Sequence, residues 1–167
     1  VTELADRSLD ERFRELVTAG QRGVSRDELL RYLRDTADAL DFMSEEHGLQ
    51  HLDIKPENIL LQGVHAKVGD FGLTKAVGHA RHSQINGFTP LYAPPELFEG
   101  RPDRGSDQYS LAIVYQTMLT GTPPFNGRTA SQLMAQHLKT SPDLSSLLPS
   151  DRAVVARALS KNPRTRF

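Results

Sequence analysis

Residues 107–119, DQYSLAIVYQTML, form a helix-length segment that is apolar nearly all round. Ser106 is a plausible cap before it, and Gly121 stops it ahead of Pro123 and Pro124. A helix without a polar face has no side to turn to water, so other elements must surround it. It is therefore expected to be the central post of a helical domain. The chain supplies enough material for one such core and too little for two: 167 residues, 38% of them hydrophobic.

The surrounding helices announce themselves by their starts. Ser8 with Glu11, Ser25 with Glu28 and Thr129 with Gln132 each have the capping-box spacing, in which hydroxyl and later side chain satisfy each other's orphan backbone donors. The helix after Ser25 carries Leu29, Leu30, Leu33, Ala37, Leu40 and Met43 at three- and four-residue steps. It ends near His47, with Gly48 supplying a left-handed turn. Its acidic face (Asp35, Asp38, Asp41, Glu45) reads as solvated. Further helices are expected over 130–138 and 151–160. Strand signals are short, at 59–61, 66–68 and the opening 1–4. The fold class is mainly α with one small β-hairpin.

Composition removes several functions. A formal net charge of -1 gives nucleic acid or an anionic membrane no electrostatic purchase. With no cysteine, disulfides and thiolate metal sites are excluded. The longest apolar run, 111–115, is far too short to cross a bilayer. The expectation is a cytoplasmic chain without nucleic-acid partners or a membrane segment of its own, though segments outside it could anchor a full-length protein. His79 and His82 lie three apart in a polar loop, with no further ligand to make a metal site. His65 and His137 carry no signal.

Chemistry concentrates in residues 51–58, HLDIKPEN, between the long helix and the first short strand, and in Asp70-Phe71-Gly72 just after the second. Phosphoryl transfer needs an acceptor hydroxyl aligned with the γ-phosphate and cations held against the phosphate oxygens. Asp53 can orient the hydroxyl and take its proton. Asn58 and Asp70 offer the hard oxygen ligands that Mg²⁺ prefers. Lys55 can reach the γ-phosphate as a mobile point charge.

This pattern resembles the catalytic and metal-binding loops of protein kinases. Four specified residues at that spacing would arise by chance in about one chain in 10³ of this length, and the resemblance continues along the whole sequence. It implies a kinase large lobe over 1–167, with the hinge at 1–7, the catalytic loop at 51–58, the activation segment at 70–96 and the buried central helix at 106–120. It implies ATP and Mg²⁺ as cofactors, with Glu3 and Ala5 offering backbone groups to adenine and Leu60 lying beneath the ring. Thr89, opening T-P-L-Y-A-P-P-E, would bond Asp53 and Lys55 and close the site round a protein serine or threonine. Structural roles fall to His51, stacking beneath Phe71 and tying the loop to Asp107; to Phe71 as a core residue that sets the position of Asp70; to Asp107 as acceptor for the catalytic-loop backbone; and to Glu96 and Arg166 as a buried ion pair. The phrasing DQYSL and TGTPPF is similar to bacterial eukaryotic-like serine/threonine kinases.

Two departures modify these expectations. Leu52 stands where many kinases place an arginine that binds activation-loop phosphate, so control by phosphate on Ser83 or Thr74 is not expected to dominate, although Arg81 and Lys75 lie near. The glycine-rich loop and small-lobe lysine are absent from the chain. The missing small lobe is thus an expected partner from the same polypeptide, and the chain by itself is expected to be almost inactive. The competing reading is a pseudokinase-type protein-binding module.

Overall fold

A computed structural model describes residues 5–76 and 87–167, with the backbone alone for Lys75 and Ala76. In chain order the elements are β1 (Arg7–Ser8), α1 (Leu9–Thr18), α2 (Arg26–His47), β2 (Leu49–Gln50), β3 (Ile59–Gln62), β4 (His65–Val68), β5 (Lys75–Ala76), α3 (Pro95–Phe98), α4 (Ser106–Thr120), α5 (Ala130–Lys139) and α6 (Pro149–Ala158). Single 3-10 turns cover Pro56–Asn58 and Pro163–Thr165. The architecture is mainly helical with a small antiparallel sheet of order β1-β3-β4 and a two-stranded ribbon, β2-β5. No helix among the described residues is long and apolar enough to cross a membrane.

The all-round apolar segment is α4, and it is the post of the domain. Tyr109, Ile113 and Val114 are wholly buried on it, and Met118 nearly so. Ser106 is not its cap. The cap position is Gly105, and Ser106 lies in the first turn, buried. There its hydroxyl accepts from the Asp103 N–H (2.9 Å) and donates to Glu96 (2.8 Å). A carboxylate competed successfully for a hydroxyl that would otherwise have closed the helix end.

Ser8 and Glu11 make the full reciprocal capping box at α1. Ser25 accepts from the Glu28 N–H at α2, and Gly48 ends that helix at φ 63°. The buried stripe of α2 is Leu29, Tyr32, Leu33, Thr36 and Leu40: Leu29, Leu33 and Leu40 lie where the apolar spacing put them, while Tyr32 and Thr36 are buried in place of Leu30 and Ala37, and Leu30 stays 38% exposed. Thr36 can be buried because its hydroxyl donates to the Tyr32 carbonyl one turn back (2.8 Å), so no polar group is stranded. The acidic face also departs from expectation at one position. Asp35 accepts from His65 Nδ1 (3.1 Å) and the Ala66 N–H (3.0 Å), clamping β4 onto α2, while Asp38, Asp41 and Glu45 are exposed. At the far end Asp151 of α6 accepts from Arg26 (2.9 Å) and from the Tyr115 hydroxyl (2.7 Å), so one buried carboxylate joins α2, α4 and α6.

The sheet sets the stage for the site. β3 and β4 pair from Ile59↔Val68 to Gln62↔His65, and β1 lies on the other side of β3, Arg7 opposite Leu61. The expected opening strand 1–4 lies outside the described residues. The strand seen there is Arg7–Ser8, with Asp6 N–H also bonded to the Leu61 carbonyl (2.9 Å).

Candidate active site

The loop between β2 and the Pro56–Asn58 turn is held from below by a single side chain. Asp107, in the first turn of α4 and 4% exposed, accepts from the N–H groups of His51 (2.7 Å) and Leu52 (2.8 Å), one on each carboxylate oxygen. Burial raises the proton affinity of this carboxyl, and the two amides and His51 pull it back. The double grip bends the chain. Leu52 sits at φ 66°, a left-handed conformation costing a branched residue about 1–2 kcal/mol unless its surroundings enforce it.

His51 joins the two halves of the site. Its Nε2 lies 3.0 Å from the Gly69 carbonyl, which must be the acceptor, so the proton is on Nε2. Nδ1 is then free to accept the Asp53 N–H, at 3.4 Å. The Gly69 N–H in turn donates to the Asn58 carbonyl (2.9 Å). Gly69 lets Leu60 lie close to the backbone here: a Cβ would stand 2.8 Å from Leu60 Cδ1 and the leucine side chain would have to shift. Directly after Gly69, Asp70 is at φ 58° and exposed, its Oδ1 accepting from the Gly72 N–H (3.3 Å).

Around Asp53 three cationic or donor groups converge. Lys55 Nζ lies 2.7 Å from Oδ2 and also donates to Thr89 Oγ1 (3.3 Å). Asn58 Nδ2 donates to the Asp53 carbonyl (2.8 Å) and to Oδ2 (3.2 Å), and the Thr89 N–H faces Oδ1 at 3.4 Å. The structure thus brings Asp53, Lys55, Asn58 and Thr89 into one cluster, with Asp70 linked through Gly69. Leu60 is half-buried against Gly69, Ala5 is exposed, and Glu3 lies outside the described residues.

Phe71 departs from its expected core position. It is 53% exposed, meeting the His51 ring at 5.3 Å and a 58° tilt rather than in a stack. Leu52 is the converse. It is 2% exposed in a separate apolar cluster with Ala93 and Leu97, against Leu73, Phe88 and Phe98. The cluster joins Leu52 to residues on both described sides of the 70–96 segment, Leu73 and Phe88. Ser83, outside the described residues, should accordingly be dispensable: Ser83→Ala in the full-length protein is expected to keep phosphoryl transfer within about tenfold of the unsubstituted level in an initial-rate assay. A larger loss would show that phosphate control survives without the arginine.

Behind the loop that begins at Thr89, Glu96 and Arg166 form a bidentate pair at 2.7 and 2.9 Å, the arginine side chain fully buried. His137, which carried no signal in the sequence, is also wholly buried here, between Tyr109, Phe98 and Phe125. Nothing in a lone histidine on an amphipathic helix distinguishes it from a surface residue. Its neighbours by helical spacing disagree: Leu133, four residues before, packs against the core, while Met134, three before, is 40% exposed.

With this geometry in place the comparison with known proteins is decisive: the protein kinase domain matches residues 1–167. The chain belongs to the protein kinase family. Among its relatives, the serine/threonine-protein kinase PkaA of Streptomyces coelicolor is 34% identical over 161 residues, covering 83% of this chain and 30% of that protein. Serine/threonine-protein kinase PknB of Mycobacterium tuberculosis is 36% identical over 150 residues, covering 81% and 23%. Pkn1 of Myxococcus xanthus is 38% identical over 149 residues, covering 81% and 21%. The similarity is thus to bacterial eukaryotic-like serine/threonine kinases, and this kinase chain spans less than a third of the length of these relatives.

Proposed function

We propose that the full-length protein transfers the γ-phosphate of ATP to serine or threonine hydroxyls of proteins, and that this chain is the large lobe carrying the catalytic loop and substrate platform. The observation that carries the reading is the Asp53 carboxylate, held at once by Lys55 Nζ and Asn58 Nδ2 and facing the Thr89 N–H. In this reading Asp53 orients the acceptor hydroxyl and takes its proton as the bond to phosphorus forms. Lys55 lies beside it to meet the charge on the transferred group. Thr89, bonded to both, sets the acceptor in line.

The donor set fits Mg²⁺. The amide nitrogen of Asn58 is spent on Asp53, leaving an oxygen, and Asp70 offers an exposed carboxylate. Among the described residues no three His, Asp or Glu side chains converge into a protein-only cage. That suits a cation whose remaining ligands are phosphate and water. When bound, Mg²⁺ would neutralise charge on the β- and γ-phosphates. Glu3, Ala5 and Leu60 are proposed to meet adenine, and the exposed outer face of Phe71 is where a small lobe would close. By itself the chain supplies only this floor, so transfer by it alone should be minimal.

The test is phosphate transfer from radiolabelled ATP to a generic protein substrate by the full-length protein, followed by phosphoamino-acid analysis. The expected result is phosphoserine or phosphothreonine, abolished by chelation and restored by Mg²⁺. Absence of transfer from a folded protein with a complete small lobe would favour the protein-binding module instead.

A further inference from the structure

The polar contacts that place Thr89 are long ones. Lys55 Nζ reaches its Oγ1 at 3.3 Å, and its N–H faces Asp53 Oδ1 at 3.4 Å. Thr89 is half-buried, so water competes for both. Contacts of that length beside water do little to fix a loop. On the C-terminal side the loop is tied down: the Tyr92 N–H donates to the Thr89 carbonyl (3.0 Å), and Tyr92 is buried in the main core. On the N-terminal side stands Phe88.

Phe88 belongs to the smaller apolar cluster rather than to the main core. It packs, with Leu73 and Phe98, against the buried Leu52, Ala93 and Leu97. Its ring meets that of Phe98 edge-on, at 5.3 Å and 81°. Leu97 and Phe98 are on α3, and Phe98 lies 5.8 Å from the His137 ring of α5, so the cluster is backed by helices. Just before Phe88, Gly87 (φ 105°) lies beside Leu73: a Cβ there would stand 4.0 Å from Leu73 Cδ2.

Leu52 enters this cluster from the other half of the site. Asp107 holds its N–H at 2.8 Å, and its φ of 66° sets where it stands. The next residue is Asp53. The chain neighbours of the two polar groups therefore share one apolar cluster: Leu52 precedes Asp53, and Phe88 precedes Thr89. Opening the cluster would return a leucine that is 2% exposed to water, so apolar contact resists a shift that the long polar contacts would allow.

We infer that Leu52 and Phe88 are paired positioning residues for the protein acceptor, an apolar clasp that sets Thr89 on Asp53 and Lys55. The side chains that form it are all apolar, so it closes without a phosphate. This inference rests on the kinase reading.

Steady-state kinetics and hydrogen exchange on the full-length protein test it. Phe88→Ala is expected to raise KM for the protein substrate about tenfold, with KM for ATP changed by less than about twofold. Leu52→Ala should do the same. Leu52→Met, which keeps the volume and adds no β-branch to the left-handed backbone, should stay within about threefold of the unsubstituted protein. In the double variant Leu52→Ala/Phe88→Ala the effect should exceed the larger single effect by less than about threefold, because one clasp can be opened only once. In hydrogen exchange without substrate, the Thr89 and Tyr92 amides should exchange faster in both alanine variants while α4 stays protected. Alanine variants with unchanged KM and unchanged exchange would overturn the clasp. So would effects that multiply in the double variant, or equal rises in both KM values that methionine does not rescue. If Leu52→Ala does not fold, Phe88→Ala against Phe88→Leu decides the question by the same readouts. Absence of transfer from the unsubstituted protein would refute the kinase reading alone, because the exchange comparison still decides the clasp.

Discussion

Asp53→Asn in the full-length protein is expected to lower phosphoryl transfer by about 10²–10⁴-fold, the range for loss of a positioned general base, with little change in KM for ATP. The substitution is close to isosteric. One carboxylate oxygen becomes an amide nitrogen in a site where Lys55, Asn58 and the Thr89 N–H all donate. Whichever way the amide turns, a donor faces a donor, and no oxygen remains with the basicity to take the acceptor's proton. The fold should tolerate this: the loop is fixed by its backbone to Asp107 rather than by the Asp53 side chain. The thermal midpoint therefore separates the outcomes. Lost transfer with an unchanged midpoint assigns Asp53 to the chemistry. Transfer within tenfold of the unsubstituted protein would mean that this aspartate organises the loop without serving as base.

What the sequence made legible was whatever rests on a local device or a spacing. The α1 and α2 caps, the Gly48 stop and the apolar post are short-range signals, and each appears within a residue or two of its expected place. The candidate site residues stood out because phosphoryl-transfer chemistry restricts residue types at fixed offsets, and the structure brings Asp53, Lys55, Asn58 and Thr89 into contact. The misses were decided by hydrogen-bond partners that residue type does not reveal, some distant in the chain and one a single helical turn away. Ser106 was recruited by Glu96, Asp35 by the β4 backbone, and Thr36 was buried because one turn of helix satisfied its hydroxyl. His137 had no local mark at all. Its burial comes from three aromatic rings brought by α3, α4 and the loop after α4. Phe71 departs in the opposite direction: an aromatic side chain suggests a core, but it stands 53% exposed, its ring meeting that of His51 at a 58° tilt.

Arg166→Met should be the most destabilising of the substitutions considered, costing about 3–5 kcal/mol, the range for removing one partner of a buried pair. The reason is what it leaves behind. Arg166 donates to both Glu96 oxygens, to the Gly105 carbonyl (2.8 Å) and to the Ser160 carbonyl (2.9 Å). Methionine fills the space but strands a carboxylate 6% exposed and two carbonyls. For a chain of this size that corresponds to a fall of roughly 10 °C in thermal midpoint. The double variant Glu96→Leu/Arg166→Met removes the stranded charge as well, and should lose less than the sum of the two single changes by about 0.5–3 kcal/mol. The effect should reach activity too. Glu96 follows the loop that begins at Thr89, it also accepts from the Ser106 hydroxyl, and Ser106 immediately precedes the Asp107 that grips the His51–Leu52 backbone. One guanidinium therefore stands behind both halves of the site, by way of a single helix turn. A denaturation series in which Arg166→Met costs under about 1 kcal/mol would show that water reaches Glu96 and replaces the arginine, and that the two halves are held independently.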